Sequence, residues 1–224
     1  MCIRDRDHKR LLEGDAGPNT GGMGAYSPVA IATPVLLEQV RREVLTPTLA
    51  EMRRRGTPFS GVLYAGLMIA PGGAPSVVEF NCRLGDPEAQ VVLPLVAGGL
   101  TACLQSVADG GPPLPLQLRS DAAVTTVLAA AGYPDAPRKG AAITIPDHLP
   151  EGVTVFHAGT TRDQSGVLRA NGGRVLTVTA VAPTFAEAQR RSRDASSAIE
   201  FEGKLWRRDI GWREAARVEA PVGR

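Results

Sequence analysis

Val77 to Gln90 reads Val-Val-Glu-Phe-Asn-Cys-Arg-Leu-Gly-Asp-Pro-Glu-Ala-Gln, with a carboxylate, an amide and a guanidinium at alternate positions. In a β-strand, side chains two residues apart point the same way, about 6.6 Å apart along the chain. Glu79 and Asn81 therefore share a face, and both can offer oxygen to one hard cation. Mg²⁺ takes an octahedral oxygen set and commonly draws only one or two donors from protein, the rest coming from phosphate and water. Arg83 follows with a planar fork of donors suited to phosphate or carboxylate. Alone, Glu-x-Asn is also the ordinary outward face of a half-buried strand.

A second segment points the same way. Asp15 to Pro28 reads Asp-Ala-Gly-Pro-Asn-Thr-Gly-Gly-Met-Gly-Ala-Tyr-Ser-Pro, with little apolar side chain to serve a core. Glycine allows close approach of backbone to a ligand, and consecutive loop N–H groups can form an anion-binding concavity. A turn-rich connector would have the same composition.

The elements that must position these residues follow from local signals. Thr33-Pro34 is a helix start, with Thr as N-cap and Pro at the first helical position. Val40, Val44 and Leu45 continue at helical spacing, and Pro47 should kink or restart the helix. Gly61 to Ile69 is an apolar run suited to a buried strand. Ala70 to Pro75 is a turn, and Ser76 to Phe80 returns as the second strand of a hairpin that ends at Glu79 and Asn81. Asp86-Pro87 repeats the cap-and-proline signal, which sets Arg83 and Asp86 between a strand end and an anion-favouring helix N-terminus. The proline-rich stretch Gly110 to Pro115 separates this lobe from a second unit. That unit has strand-like runs at Ala123 to Ala130, Val153 to His157 and Arg174 to Val181, then a helix over Thr184 to Ile199. Thr184 with Glu187 forms a capping box, and Phe185, Ala188, Ala195, Ala198 and Ile199 mark its apolar stripe.

Together the motifs resemble the phosphoribosylamine-glycine ligase family, also called glycinamide ribonucleotide synthetase, of the ATP-grasp superfamily. The resemblance lies in Asp7 to Arg10 (Asp-His-Lys-Arg), Gly17 to Pro28, Leu63 to Met68 and Glu79 to Glu88, which occur in the family's order. Further on, Ala131 to Pro134 (Ala-Gly-Tyr-Pro), Phe156 to Thr160, Asn171 to Leu176 (Asn-Gly-Gly-Arg-Val-Leu) and Arg207 to Trp212 resemble its carboxy-terminal domain. The resemblance implies an α+β fold: the carboxy-terminal part of an ATP-grasp core over 7–115, then a small mixed α/β domain over 116–213. The family's front half is missing from the match. Residues 1–6 do not resemble the family and read as an artefactual leader, and 214–224 read as a charged, frayed tail.

The resemblance also implies ATP-dependent ligation of glycine to 5-phosphoribosylamine through an acyl phosphate, giving glycinamide ribonucleotide, ADP and phosphate in purine synthesis. It makes ATP and Mg²⁺ (or Mn²⁺) the cofactors, with Glu79 and Asn81 holding the metal. Arg83 is the catalytic candidate, orienting the acyl phosphate or the glycine carboxylate. Asn19, Thr20, Gly21 and Gly22 line the substrate side, and Lys9 or Arg10 contacts phosphate. Asp86 belongs to the substrate site, positioning Arg83 or capping its helix. Many ATP-grasp enzymes carry another acid about a dozen residues before the glutamate, where this chain has Ala65-Gly66-Leu67-Met68. The alternative reading is a non-catalytic, ligand-binding half of an ATP-grasp protein.

Composition excludes several classes. A net charge of +2, from 25 basic and 23 acidic residues, and 4% aromatic content do not suggest nucleic-acid binding. Arg53 to Arg55 read as a solvated helix end. Three cysteines, Cys2, Cys82 and Cys103, have no metal-ligand spacing and make no disulfide framework, which fits a cytoplasmic protein. No apolar run is long enough to span a membrane. His157 reads as a hydrogen-bonded structural residue and His148 as a loop residue; no spacing implies a Ser-His-Asp or Cys-His set.

Overall fold

The computed structural model describes residues 5–219, which form two compact units. The smaller comprises 29–85 and 96–118. The larger comprises 5–28, 86–95 and the chain from 119 onward. The expected boundary near 115 separates the last strands from the first lobe, but 5–28 and 86–95 belong with the carboxy-terminal strands. Asp5 and Arg6, at the end of the segment read as a leader, are part of that unit, and Arg6–Asp7 pairs antiparallel with Gly24–Ser27. Residues 1–4 of the expected leader and 220–224 of the expected tail lie outside the described residues.

In the smaller unit, Thr33 caps the helix Pro34–Val40 as its sequence predicts, its hydroxyl accepting from the Leu36 amide at 3.2 Å. Pro47 does not break the helix. The chain passes through a π-helical turn at Arg41–Leu45 into Thr46–Arg54, so the donor that Pro47 lacks falls where the hydrogen-bond ladder has already changed register. Arg54 and Arg55 bind Glu51 at the solvated helix end. The hairpin forms from Tyr64–Ile69 and Pro75–Asn81. Its first strand is half-buried rather than buried, and Met68, Val77, Val78 and Phe80 are exposed. Val96–Gly98 pairs with Gln117–Leu118, bracketing the helix Leu100–Ala108.

The larger unit is built on a five-stranded sheet in the order Arg6–Asp7, Gly24–Ser27, Ala122–Ala129, Arg174–Ala182, Val153–His157, antiparallel throughout. Ala122–Ala129 is buried along its whole length, as a central strand covered on both faces must be. Its threonines are satisfied: Thr125 meets Thr179 across the strands at 2.7 Å, and Thr126 meets Ser192 at 2.9 Å. The helix Phe185–Ala198 lies on this sheet, with Thr184 capping the Glu187 amide at 3.3 Å. Its buried stripe is Ala188, Ser192, Ala195 and Ser196, followed by Ile199, while Ala198 faces solvent. The serines were missed because their hydroxyls read as polar, yet Ser192 donates to the Val178 carbonyl at 2.9 Å. Lys204 seals the helix end by donating to the carbonyls of Ser196, Ser197 and Ile199. Leu128, Val175, Leu176, Val178, Ile199 and Phe201 form the core.

Trp212–Glu219 is helical, and buried Glu214 accepts from Arg217 at 3.4 Å and from the Tyr26 hydroxyl at 3.5 Å. Charge there reads as a frayed end, but one carboxylate is an anchor. Among the described residues, no helix is long and apolar enough to cross a membrane. Cys82 is exposed and Cys103 buried, both as free thiols.

Candidate functional site

The hairpin delivers Glu79 and Asn81 as the alternation predicts. Asn81 lies opposite Tyr64 and Glu79 opposite Gly66, with a register shift between Gly66 and Leu67 that leaves Val78 as the extra residue. The irregularity ends before Glu79, so the two donors stay on one face; bulges of this kind commonly aim side chains beside active sites. A Cβ at Gly66 would stand 3.1 Å from the Glu79 Cγ, so the missing Ala65-to-Met68 acid is matched by a cross-strand position with no side chain. Arg83 is exposed, and its guanidinium donates to the Leu84 carbonyl at 2.7 Å.

Among the described residues, no three His, Cys, Asp or Glu side chains gather as a metal set. The donor pair is one carboxylate and one amide oxygen. These hard ligands, on one face of a strand end, fit Mg²⁺ or Mn²⁺ that draws its remaining ligands from phosphate and water.

The remaining candidate residues lie in the larger unit. Thr20 turns the glycine loop back on Lys9: its amide and hydroxyl both donate to the Lys9 carbonyl, at 2.7 and 2.8 Å, while the Gly22 amide donates to Thr20 Oγ1 at 3.0 Å. Gly22 has φ +114°, and a Cβ there would meet Pro87 Cδ at 2.5 Å and Asp7 Oδ1 at 2.8 Å, so only glycine fits. Lys9 Nζ sits 2.9 Å from Asp7. Arg10 instead donates to the Gly17 carbonyl at 2.7 Å, and its residue pairs with Asn19 across a short hairpin. Thus Lys9, Thr20, Gly21, Gly22 and Asp86 come together, while the Arg10 head group is directed along its own loop.

Asp86 neither caps a helix nor stands before a strong one. The helix is only Ala89–Val92, with Glu88 at its N-cap and no capping side chain, so the expected anion-favouring N-terminus is absent. The Asp86 carboxylate accepts from Gln90 and Arg174, each at 3.1 Å. The Asp86-Pro87 peptide is cis.

Two clusters escaped sequence reasoning. Burial pushes the carboxyls of Asp5 and Asp7 up to about 7 and about 6, with nearby Glu88 adding to both and Lys9 only partly opposing. Behind the loop, buried His8 Nε2 accepts from the Gly211 amide at 2.9 Å, leaving its proton on Nδ1. Burial, reinforced by Arg207, lowers His8 to about 4. Arg207 is fully buried and bound to Asp15 at 2.9 Å and Asp209 at 2.8 Å. Burial alone would raise the Asp15 carboxyl, but the hydrogen bond and charge of Arg207, with Arg213, hold it below its ordinary value. The Arg-Arg-Asp-Ile-Gly-Trp motif was the available signal. His157 bonds Thr160 at 3.1 Å, as a structural histidine does.

A glycine-loop unit and a hairpin ending in Glu-x-Asn define the carboxy-terminal portion of an ATP-grasp protein. Residues 2–89 match the phosphoribosylglycinamide synthetase ATP-grasp (A) domain, and residues 123–213 match the C domain of the same synthetase. The phosphoribosylamine-glycine ligase of Chlorobaculum tepidum is 53% identical over 94% of this chain and 50% of its own length. The human trifunctional purine biosynthetic protein adenosine-3 is 46% identical over 96% of this chain and 22% of its own. The crystal structure of the Thermotoga maritima phosphoribosylamine-glycine ligase aligns with TM-score 0.83 and 41% identity over 93% of this chain and 51% of that one. A biotin carboxylase subunit of pyruvate carboxylase, 18% identical with TM-score 0.57, shares the fold. The chain belongs to the phosphoribosylamine-glycine ligase family. It spans about half the length of the curated bacterial relatives it matches.

Proposed function

We propose that the protein carrying this chain ligates glycine to 5-phosphoribosylamine at the expense of ATP, releasing glycinamide ribonucleotide, ADP and phosphate. The observation that carries this reading is the shared face of Glu79 and Asn81 at the hairpin end, in a chain that matches both synthetase domains. Glu79 and Asn81 are the metal-holding residues. Held there, Mg²⁺ (or Mn²⁺) would supply positive charge against the phosphates. Arg83 presents two parallel donors to a carboxylate or acyl phosphate, which a lysine cannot reproduce. Lys9 supplies positive charge for phosphate beside the folded-back loop; Arg10 contributes only after exchanging its bond to Gly17. Asn19 to Gly22 form the substrate wall, with Asp86 held beside it by Arg174 and Gln90. A cytoplasmic setting accompanies this reading.

The test is ADP release by the full-length protein with each substrate omitted in turn. Release that requires both glycine and phosphoribosylamine supports the ligase; release independent of glycine points to another ATP-grasp reaction. Because the chain spans about half the length of those relatives, a second reading treats these 224 residues alone as a non-catalytic, ligand-binding half. Nucleotide binding without turnover by the 224-residue chain would support it.

A further inference from the structure

Two motifs of the carboxy-terminal strands, Ala131 to Pro134 and Asn171 to Leu176, have no role in the chemistry above, yet both reach the glycine loop. The Gly21 amide donates to the Tyr133 hydroxyl at 2.9 Å, and the Gly21 carbonyl accepts from Arg174 Nη1 at 2.9 Å. The peptide groups on both sides of the Gly21 Cα are therefore fixed by side chains more than 100 residues away in sequence. The same Arg174 nitrogen donates to the Asp86 carbonyl at 2.8 Å, and Nη2 donates to the Asp86 carboxylate at 3.1 Å. One guanidinium thus ties the loop to Asp86, using the fixed fork that distinguishes arginine from lysine.

The motifs' glycines make the arrangement possible. A Cβ on Gly173 would lie 2.5 Å from the Tyr133 Cδ2, so the ring occupies the space that this glycine leaves open. The two motifs are also joined by backbone, the Ala130 amide donating to the Gly173 carbonyl at 2.8 Å and the Tyr133 amide to the Ala130 carbonyl at 3.2 Å. At Gly21 a Cβ would approach Arg174 Cζ to 3.2 Å and the Tyr133 hydroxyl to 3.3 Å. Glycine has the widest backbone freedom of any residue, so a Gly-Gly loop holds one shape only when something outside it does the holding.

We propose that Tyr133 and Arg174 are positioning residues that fix the Asn19–Gly22 loop and Asp86 in the geometry the substrate meets. This inference rests on the ligase reading for its kinetic consequence, but the fixed loop itself can be observed without turnover. Tyr133→Phe keeps the ring on Gly173 and removes only the acceptor for Gly21. Arg174→Lys keeps one charge and loses the fork. In the full-length ligase, each variant should lower kcat/KM for glycine or phosphoribosylamine roughly 10- to 100-fold, because misplacement of about an ångström has that cost. KM for ATP and the melting temperature should stay near wild type, and hydrogen exchange in a peptide covering 16–25 should accelerate. Unchanged exchange, or activity that falls only in step with melting temperature and with KM for ATP, would overturn the proposal. If wild type shows no glycine-dependent turnover, the ligase reading fails separately, and loop exchange decides the inference: faster in both variants upholds it, unchanged rejects it.

Discussion

At the scale of single residues, chemistry and stability depend on different parts of the chain. Glu79 lies on an exposed stretch of strand, so Glu79→Ala should abolish metal-dependent ADP release while shifting stability by no more than about 0.5 kcal/mol. Turnover and melting temperature measured on the same preparation check both halves, and wild-type turnover would remove Glu79 from the mechanism. Buried groups should instead appear in the pH dependence of stability. His8 titrates near 4 in the folded state and near 6.5 when free, so the unfolded chain takes up its proton first as pH falls. Its stabilising effect is complete above about 6.5 and declines toward 4, by on the order of 3 kcal/mol. Asp7 runs the other way: its folded value is raised to about 6, so the folded state holds the extra proton and stability is lost as pH rises from about 4 through 6. Asp7→Asn should therefore gain melting temperature relative to wild type as pH rises from 5 to 8, and a gap that does not change with pH would contradict the assignment. The shared face of Glu79 and Asn81 was legible because strand alternation is a local rule. The shifts at His8 and Asp7 were not, since they come from burial and from Arg207 and Glu88, far off in sequence.

Among the elements, those with a local signature were readable. Thr33-Pro34 and Thr184-x-x-Glu187 start helices as their caps require, and Val153–His157 is a strand at the expected bounds. Asp86-Pro87 misled, because it stands before a helix of only four residues whose N-cap is Glu88. The glycine loop was legible as a loop but not in its constraints. Gly22→Ala would place a side chain at positive φ and against Pro87 and Asp7, and should cost about 1–3 kcal/mol, measured by denaturant unfolding. An unchanged midpoint would mean that the loop is looser than its contacts indicate. The ion pairs of Arg207 tie the Glu13–Asp15 turn to the segment before the last helix. Arg207→Ala leaves Asp15 and Asp209 without their main counter-charge and should destabilise by about 3–5 kcal/mol, again read by unfolding.

On the scale of the whole molecule, family and α+β class were legible from motif order, whereas the pairing that puts residues 5–28 with the carboxy-terminal strands was not. Strand Gly24–Ser27 joins Ala122–Ala129, nearly a hundred residues later, and local propensity carries no information about that pairing. The consequence is that the glycine loop is built on the sheet of the carboxy-terminal unit, so the proposed substrate wall depends on strands that carry no catalytic candidate. As proposed, this chain forms part of an enzyme joining glycine to phosphoribosylamine. The most direct measurement is ADP release by the full-length protein supplied with ATP, Mg²⁺, glycine and phosphoribosylamine, beside the same mixture lacking glycine and beside Glu79→Ala. Release is expected only in the complete wild-type mixture, with stoichiometric glycinamide ribonucleotide. ADP release that persists without glycine, or survives Glu79→Ala undiminished, would contradict it.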